Sequence, residues 1–337
     1  MGKTTIKDVA KLAGVSVATV SGVINGTRDV SRELTEKVEQ AIEKLDYQPN
    51  AVAKSLATNK TNTIGLIVGD ISNPYFSDIA RGVEDEAIDN GYSVIVCNSD
   101  ETKDKESLYL KVLRQKQVDG LVIAPAGESD KNIRQLEEHG SPFVFIDRFI
   151  PGFQVDRVVS DNVEGAYNAT KHLIDRGHER IGIILGIRSI SATRERYTGY
   201  RKALYDGDIE ANQNLVKWTN SKFEGGYKAT KEFINMEQKP TALFTTNGVL
   251  SLGASKAINE SDITCPDDIS VMGFDDIEPL TSLSPPLSTV SQDSKQLGSE
   301  AVDLLLSRIE KGNDSSQRQL VRLPTEVKLR GSIRPLK

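Results

Sequence analysis

Apolar residues recur at every third or fourth position over the first 45 residues, and beyond residue 62 they come in short continuous runs between helical stretches. Ile6, Val9, Ala10 and Ala13 put one apolar stripe on a helix over 6–13. Gly14 ends that helix, and Ser16 is a good N-cap for a second one running to about Asn25. On the second helix Val20, Val23 and Ile24 face inward, with Val17, Ala18, Ser21 and Gly22 expected on the outer face. Ser31 caps a third helix to Leu45, with Glu33 and Glu36 in the first turn, where the helix dipole favours acids. Two short helices joined by a glycine-containing turn make a helix-turn-helix, whose second helix enters the DNA major groove by its N-terminal residues. The plain alternative is a helical hairpin that only packs.

Pro49 then interrupts the chain, Asn50 can cap a new helix, and Ala51 to Leu56 form a short one with little to bury. A helix of about eight residues is marginal alone in water, so this segment should order only when something holds it. The polar run 58–63 reads as a linker. From Thr63 onward strands alternate with helices: TIGLIVGD, helix 77–90, YSVIVCN, a helix from Asp104, DGLVIAP, a helix from Asp130, PFVFID. A second series follows: helix 162–175, RIGIILG, helices 195–205 and 223–235, TALFTT, helix 251–259, ISVMGFD. Such alternation predicts two parallel sheets, each covered by helices on both faces, with a cleft between the two lobes.

The charge pattern sharpens this reading. Net charge is −6, yet the first 60 residues carry nine Lys+Arg against seven Asp+Glu, leaving that end at +2 and the remainder at −8. A modestly basic small domain on an acidic core attracts phosphates at one end only. No apolar run approaches the length of a membrane span. Cys97 and Cys265 are read as free thiols of a reducing, cytoplasmic compartment.

TIKDVAKLAGVSVATVS, VINGTRDVS, LDYQPNAVAKSLA and the later GFDD resemble the lactose-repressor/galactose-repressor (LacI/GalR) family of bacterial transcription regulators, colinearly over essentially the whole chain. The resemblance implies a helix-turn-helix headpiece over 1–48 and a hinge helix and linker over 49–62. It also implies a two-lobed, periplasmic-binding-protein-like α/β core that forms a homodimer. The lobes are expected at 63–160 with 291–320 and at 161–290 with 321–337, the chain crossing near 160, 290 and 321. The function implied is a repressor of carbohydrate-utilisation genes that binds a palindromic double-stranded operator and is switched by a small-molecule effector, a sugar or sugar phosphate.

The candidate DNA-contacting residues are Thr5, Ser16, Val17, Ala18, Thr19, Ser21, Gly22, Asn25, Tyr47, Asn50, Ala53 and Leu56. Hydroxyls and amides can donate to phosphates or base edges, and Val17 and Ala18 offer methyl contacts to thymine. By resemblance positions 17, 18 and 22 face the bases, and Leu56 is a wedge into the minor groove. Gly22 stands where the family usually has arginine, which points to an altered operator preference.

Ligands of open α/β lobes sit beyond the carboxyl ends of the strands. The residues landing there are Asn73, Tyr75, Phe76, Asp147, Arg196 (before a helix), Asn247 and Asp275. A carboxylate pair, an arginine and aromatic rings suit a polyol, although each residue singly could as well cap a loop. Asn247-Gly248 replaces the family's common Asn-Asp, Ser221 falls near a usual aromatic with Trp218 and Phe223 close by, and Ile190 stands where purine-sensing relatives carry arginine. None of the three histidines pairs with a serine or cysteine at a motif spacing, and no phosphate-cradling or dinucleotide motif is present, so no enzyme, cofactor or metal is expected. The alternatives are a regulator controlled by a protein co-regulator and a cytoplasmic solute-binding protein with a vestigial headpiece.

Overall fold

The computed structural model describes residues 4–25, 30–47, 60–127, 131–311 and 318–336, with the side chain of Asn25 left aside. The chain divides into two units, Met1–Thr61 and Asn62–Lys337. The hinge positions Asn50, Ala53 and Leu56 lie outside the described residues.

In the first unit, helices α1 (Ile6–Ala13), α2 (Val17–Asn25) and α3 (Arg32–Lys44) enclose Val9, Ala10, Val20, Val38 and Ala41. Gly14 ends α1 at φ +67°, a left-handed conformation that glycine adopts without the cost a Cβ incurs. Ser31 occupies the N-cap position of α3, but its side chain makes no capping bond. Gly22 is buried, contrary to its expected place on the outer face. A residue without a side chain presents only helix backbone, which lies inside the cylinder that side chains build around a helix.

The second unit holds two six-stranded sheets. The first comprises β1 (Thr63–Val68), β2 (Ser93–Asn98), β3 (Gly120–Ile123), β4 (Phe143–Ile146), β5 (Asp156–Ser160) and β11 (Leu320–Leu323), in the order β11-β5-β4-β3-β1-β2. The second comprises β6 (Ile181–Leu185), β7 (Val216–Trp218), β8 (Ala242–Thr245), β9 (Ser270–Phe274), β10 (Ser288–Gln292) and β12 (Thr325–Lys328), in the order β12-β10-β9-β8-β6-β7. Every pairing is parallel except β10 with β12. The inner strands β3, β4, β6, β8 and β9 are buried along their whole length, as expected of parallel strands covered on both faces.

The helices of the first lobe are α4 (Pro74–Asp89), α5 (Lys103–Gln115) and α6 (Lys131–Glu138), and those of the second are α7 (Asn162–Asp175), α8 (Ser191–Asp206), α9 (Phe223–Ile234), α10 (Gly248–Asn259) and the single turn α11 (Glu278–Thr281). Helix α12 (Ser294–Lys311) returns to the first lobe and packs on α4. The approach is close: a Cβ at Gly82 would meet the Lys295 carbonyl oxygen, and one at Gly298 the Ile79 carbonyl oxygen. The last crossing comes at Pro324, later than the expected 321, because Leu320–Leu323 still pairs with β5 and Thr325 already pairs with β10. Proline has no N–H to give to either ladder, which suits a strand changing sheets. Among the described residues no helix is long and apolar enough to cross a membrane, and Cys97 and Cys265 are free thiols.

Candidate functional site

The headpiece presents its surface through the start of α2. Ser16 Oγ accepts from the Thr19 N–H at 3.1 Å and lies 2.8 Å from Thr19 Oγ1, so the two hydroxyls brace the first turn. Thr5 donates through its N–H and its hydroxyl to Asp8 Oδ2 (2.9 and 2.7 Å), which closes a cap on α1 and holds the Asp8 carboxyl below its usual range. Tyr47 packs its ring against the headpiece core, a structural role beside the one expected of it. Val17 and Ala18 are exposed at the N-terminal end of α2, where an exposed valine has no folding purpose and an apolar contact to a thymine methyl would use it.

The second site is the cleft between the lobes of the core, about 600 Å³ including its open mouth, of which about 50 Å³ can hold the centre of a water molecule. All seven expected effector residues line it. Two of them have a further duty. Asn73 Oδ1 accepts from the Tyr75 N–H at 3.2 Å, which starts α4 at Pro74, three residues before its expected start. Asn247 Oδ1 accepts from the Leu250 N–H at 2.7 Å and likewise starts α10 at Gly248 instead of Ser251, while its Nδ2 donates to the Ser221 carbonyl at 3.2 Å. Asn73 Nδ2 has no protein partner among the described residues.

Asp147 and Asp275 follow β4 and β9 at equivalent places in the two lobes, and both are buried with positive φ (+65° and +70°). Aspartate is among the few residues that tolerate this conformation, and such outliers gather at binding sites. Tyr75 donates its hydroxyl to Asp147 Oδ1 at 2.8 Å. Asp275 accepts from Gln292 Nε2 (2.6 Å) and from the Gly248 N–H (3.2 Å). Burial pushes the Asp275 carboxyl above its usual range, and Arg196, the Gly248 amide and Gln292 offset this only in part.

Arg196 lies inside α8, not before it, because that helix begins at Ser191, four residues ahead of its expected start. Its Nε donates to Asn162 Oδ1 at 2.8 Å, one terminal nitrogen donates to the Thr246 carbonyl at 2.6 Å, and the guanidinium covers the Phe274 ring 3.8 Å from its centre. The same terminal nitrogen stands 3.9 Å from Asp275 Oδ1. The other terminal nitrogen has no protein partner among the described residues and is left as a donor for a ligand.

Arg148, Glu101, Asp70, Lys222 and Gln292 were not anticipated. Arg148 is buried and donates to both Glu101 oxygens (2.6 and 3.1 Å). Burial alone would lower its proton affinity, but Glu101 and Asp147 outweigh burial and raise it above the usual value. Asp70 of the first lobe pairs with Lys222 of the second across the mouth of the cleft. Burial pushes the Asp70 carboxyl up, but its bonds from Lys222 and Ser72 hold it below the usual range. Asp70 ends the strand TIGLIVG and Arg148 follows Asp147 directly, so the same carboxyl-end rule could have found both. Nothing local marks Gln292, which closes a strand with a mixed polar pattern.

The three departures noted in the sequence have structural accounts. Gly248 brings no side chain: its N–H donates to Asp275 Oδ2 at 3.2 Å, and a Cβ there would press on the Ile277 side chain. Ser221 lines the cleft at φ +63°, its hydroxyl accepting from the Ile187 N–H at 3.0 Å, and among the described residues neither Trp218 nor Phe223 lines the cleft beside it. Trp218 instead packs edge-on against Tyr197. Ile190 precedes α8 and brings an apolar surface to the cleft wall. Asp276, the neighbour of Asp275, is bound by Arg330, Lys328 and Thr289 and ties β10 to β12.

Residues 5–50 match the family of bacterial regulatory proteins of the lacI type, and residues 61–329 match that of periplasmic binding proteins and the sugar-binding domain of the LacI family. The HTH-type transcriptional repressor PurR of Aliivibrio salmonicida (strain LFI1238) is 37% identical over 98% of this chain and 99% of its own. Among solved structures, the lac repressor dimer bound to operator and the anti-inducer ONPF superposes with a TM-score of 0.87 at 29% identity, covering 98% of this chain and 99% of that one. A transcriptional regulator CelR–cellobiose complex superposes with a TM-score of 0.75 at 30% identity, covering 98% and 100%. With both units matched and the likeness running over nearly full length, the chain belongs to the LacI family and is a DNA-binding transcriptional repressor, not an enzyme.

Proposed function

We propose that the repressor binds a roughly palindromic operator as a homodimer and is switched by an uncharged sugar held between the lobes of its core. One observation carries the choice of ligand. Each cation lining the cleft already has a protein partner: Arg148 has Glu101, Lys222 has Asp70, and Arg196 has Asn162, the Thr246 carbonyl and Asp275. Four carboxylates face three such cations, so a phosphate would enter a site already rich in negative charge. Buried carboxylates beside unused amide and guanidinium donors suit hydroxyl groups, which both give and accept hydrogen bonds. A sugar phosphate, still open on sequence, is therefore disfavoured. Cellobiose in the CelR structure supports the sugar reading, and the dimer on its operator in the lac repressor structure supports the assembly.

The relatives named PurR make a purine the competing ligand. Against it stands Ile190, which offers no donor or acceptor to a base edge. Thermal unfolding of the full-length protein with neutral sugars, sugar phosphates and purines separates the readings. A ligand at one hundred times its dissociation constant adds about 2.7 kcal/mol, a shift of a few degrees. A shift with a neutral sugar alone is expected. One with a purine or a sugar phosphate alone would replace this reading.

The DNA end is assigned to Ser16, Val17, Ala18, Thr19 and Ser21 on the major groove and to Leu56 as the wedge at the operator centre. Leu56→Ala is expected to weaken binding to a palindromic operator tenfold or more, about 1.4 kcal/mol, with the ligand shift unchanged. Fluorescence anisotropy on the palindrome and its half-site reads this, and equal affinity of the two proteins would remove the wedge.

A further inference from the structure

One side chain of the cleft wall lies between the carboxylates of the two lobes. Tyr75, in the first turn of α4, reaches Asp147 Oδ1 with its hydroxyl at 2.8 Å and stands 3.5 Å from Oε1 of Gln292, whose Nε2 donates to Asp275 Oδ1 at 2.6 Å. These four groups form one line that joins the carboxylate of the first lobe to that of the second. Burial, and after it the charges of Asp147 and Asp275, hold the Tyr75 hydroxyl well above the usual phenol range, so it remains a donor at neutral pH.

The hydrogen bond from Tyr75 is the one a ligand hydroxyl would make. Asp147 has two oxygens, and Tyr75 takes the first. The second lies 3.6 Å from Arg148 Nε, an atom that is buried without a hydrogen-bond partner, and so it stays available to a ligand. A ligand hydroxyl that approached Oδ1 along the direction the phenol occupies would have to displace it and leave that group buried and unpaired, which is the expensive outcome. A phenol fixed at 6% exposure also has little room to step aside.

We propose that Tyr75 is the specificity-determining residue of the cleft: its hydroxyl stands in for one ligand hydroxyl on Asp147, so the site selects a sugar lacking a hydroxyl or hydroxymethyl group at that position. The inference rests on the cleft being a sugar site. It commits the wild-type protein to the smaller member of a pair of sugars that differ at one such group. Removing the phenolic oxygen alone, as Tyr75→Phe does, frees Asp147 Oδ1 and reverses the preference. A site left with an unpaired polar group rewards the ligand that pairs it.

Calorimetric titration of the full-length wild type and Tyr75→Phe tests this with D-xylose against D-glucose, which differ by a hydroxymethyl group, and with 2-deoxy-D-ribose against D-ribose, which differ by a hydroxyl. Unliganded melting curves establish that the variant is folded. The expected result is a preference for the smaller sugar in the wild type and a shift of the affinity ratio of about tenfold or more toward the larger sugar in Tyr75→Phe. An unchanged ratio, or an equal loss for both members of each pair, overturns the proposal and leaves the sugar reading standing. No binding of any of the four sugars by either protein overturns both.

Discussion

Replacing Arg308 by methionine is expected to destabilise the core by about 3–5 kcal/mol. Arg308 sits in the last turn of α12 with its side chain buried, and its guanidinium meets Asp156 at the start of β5 in two bonds, Nε to Oδ2 at 2.5 Å and a terminal nitrogen to Oδ1 at 2.8 Å. The Gln319 N–H adds a third bond to Asp156 Oδ1, so the carboxylate also anchors the approach to β11. Methionine keeps most of the volume and leaves Asp156, 1% exposed, charged and without its cation. In a lobed core of this size the loss corresponds to a melting-point drop on the order of 10 °C. The double substitution Arg308→Met with Asp156→Leu should recover most of it, because a buried pair replaced by apolar groups of similar volume is often neutral. A double-mutant cycle by denaturant unfolding reads the coupling. A single-variant loss under 1 kcal/mol would mean that the pair is not what fastens α12 to the sheet.

That ion pair also marks where sequence reading stops. Arg308 and Asp156 are 152 residues apart, and no pattern along the chain relates them. The headpiece was legible because its signals are local: the apolar spacing of Ile6, Val9 and Ala10, the glycine at 14 and the serine at 16 each act within one or two turns. The inner strands were legible as uninterrupted apolar runs. Strands β5, β7, β10, β11 and β12 were not, since DRVVS, VKW, STVSQ, LVRL and TEVK mix charged or polar residues with β-branched or other apolar ones and three of them lie at sheet edges. Six of the seven cleft residues follow one topological rule about strand ends; the seventh, Arg196, lies inside α8. Gln292 and Lys222 escaped that rule, because one ends a strand that was not foreseen and the other depends on how the two lobes face each other. Helix starts at Pro74, Ser191 and Gly248 were placed late for a single reason: asparagine caps and small residues before the apolar stripe carry less signal than the stripe itself.

Arg196→Met is expected to abolish the effector response of the repressor. Truncating one partner of a buried, hydrogen-bonded charge typically costs a bound ligand about 2–5 kcal/mol, roughly thirty- to several-thousand-fold in affinity. Here the arginine does three things at once: it bonds Asn162 at the first lobe crossing, it bonds the Thr246 carbonyl ahead of α10, and it is the nearest cation to Asp275. Arg196→Lys keeps the charge but not the planar fork, and should retain a weakened response. The loss also has a pH signature. Burial already raises the Asp275 carboxyl in the folded state, and Arg196 opposes that rise, so its removal raises it further. A carboxyl with a higher pKa folded than unfolded penalises the folded state at neutral pH. The penalty is relieved as the pH falls through the folded value toward the unfolded one near 4. Arg196→Met should therefore regain part of its lost stability on mild acidification, and Arg196→Met with Asp275→Asn should not. Thermal unfolding between pH 7 and pH 5, with and without the selected sugar, measures both effects. A variant that keeps the wild-type ligand shift at pH 7 would show that Arg196 is a structural brace for α8 and not part of the effector site.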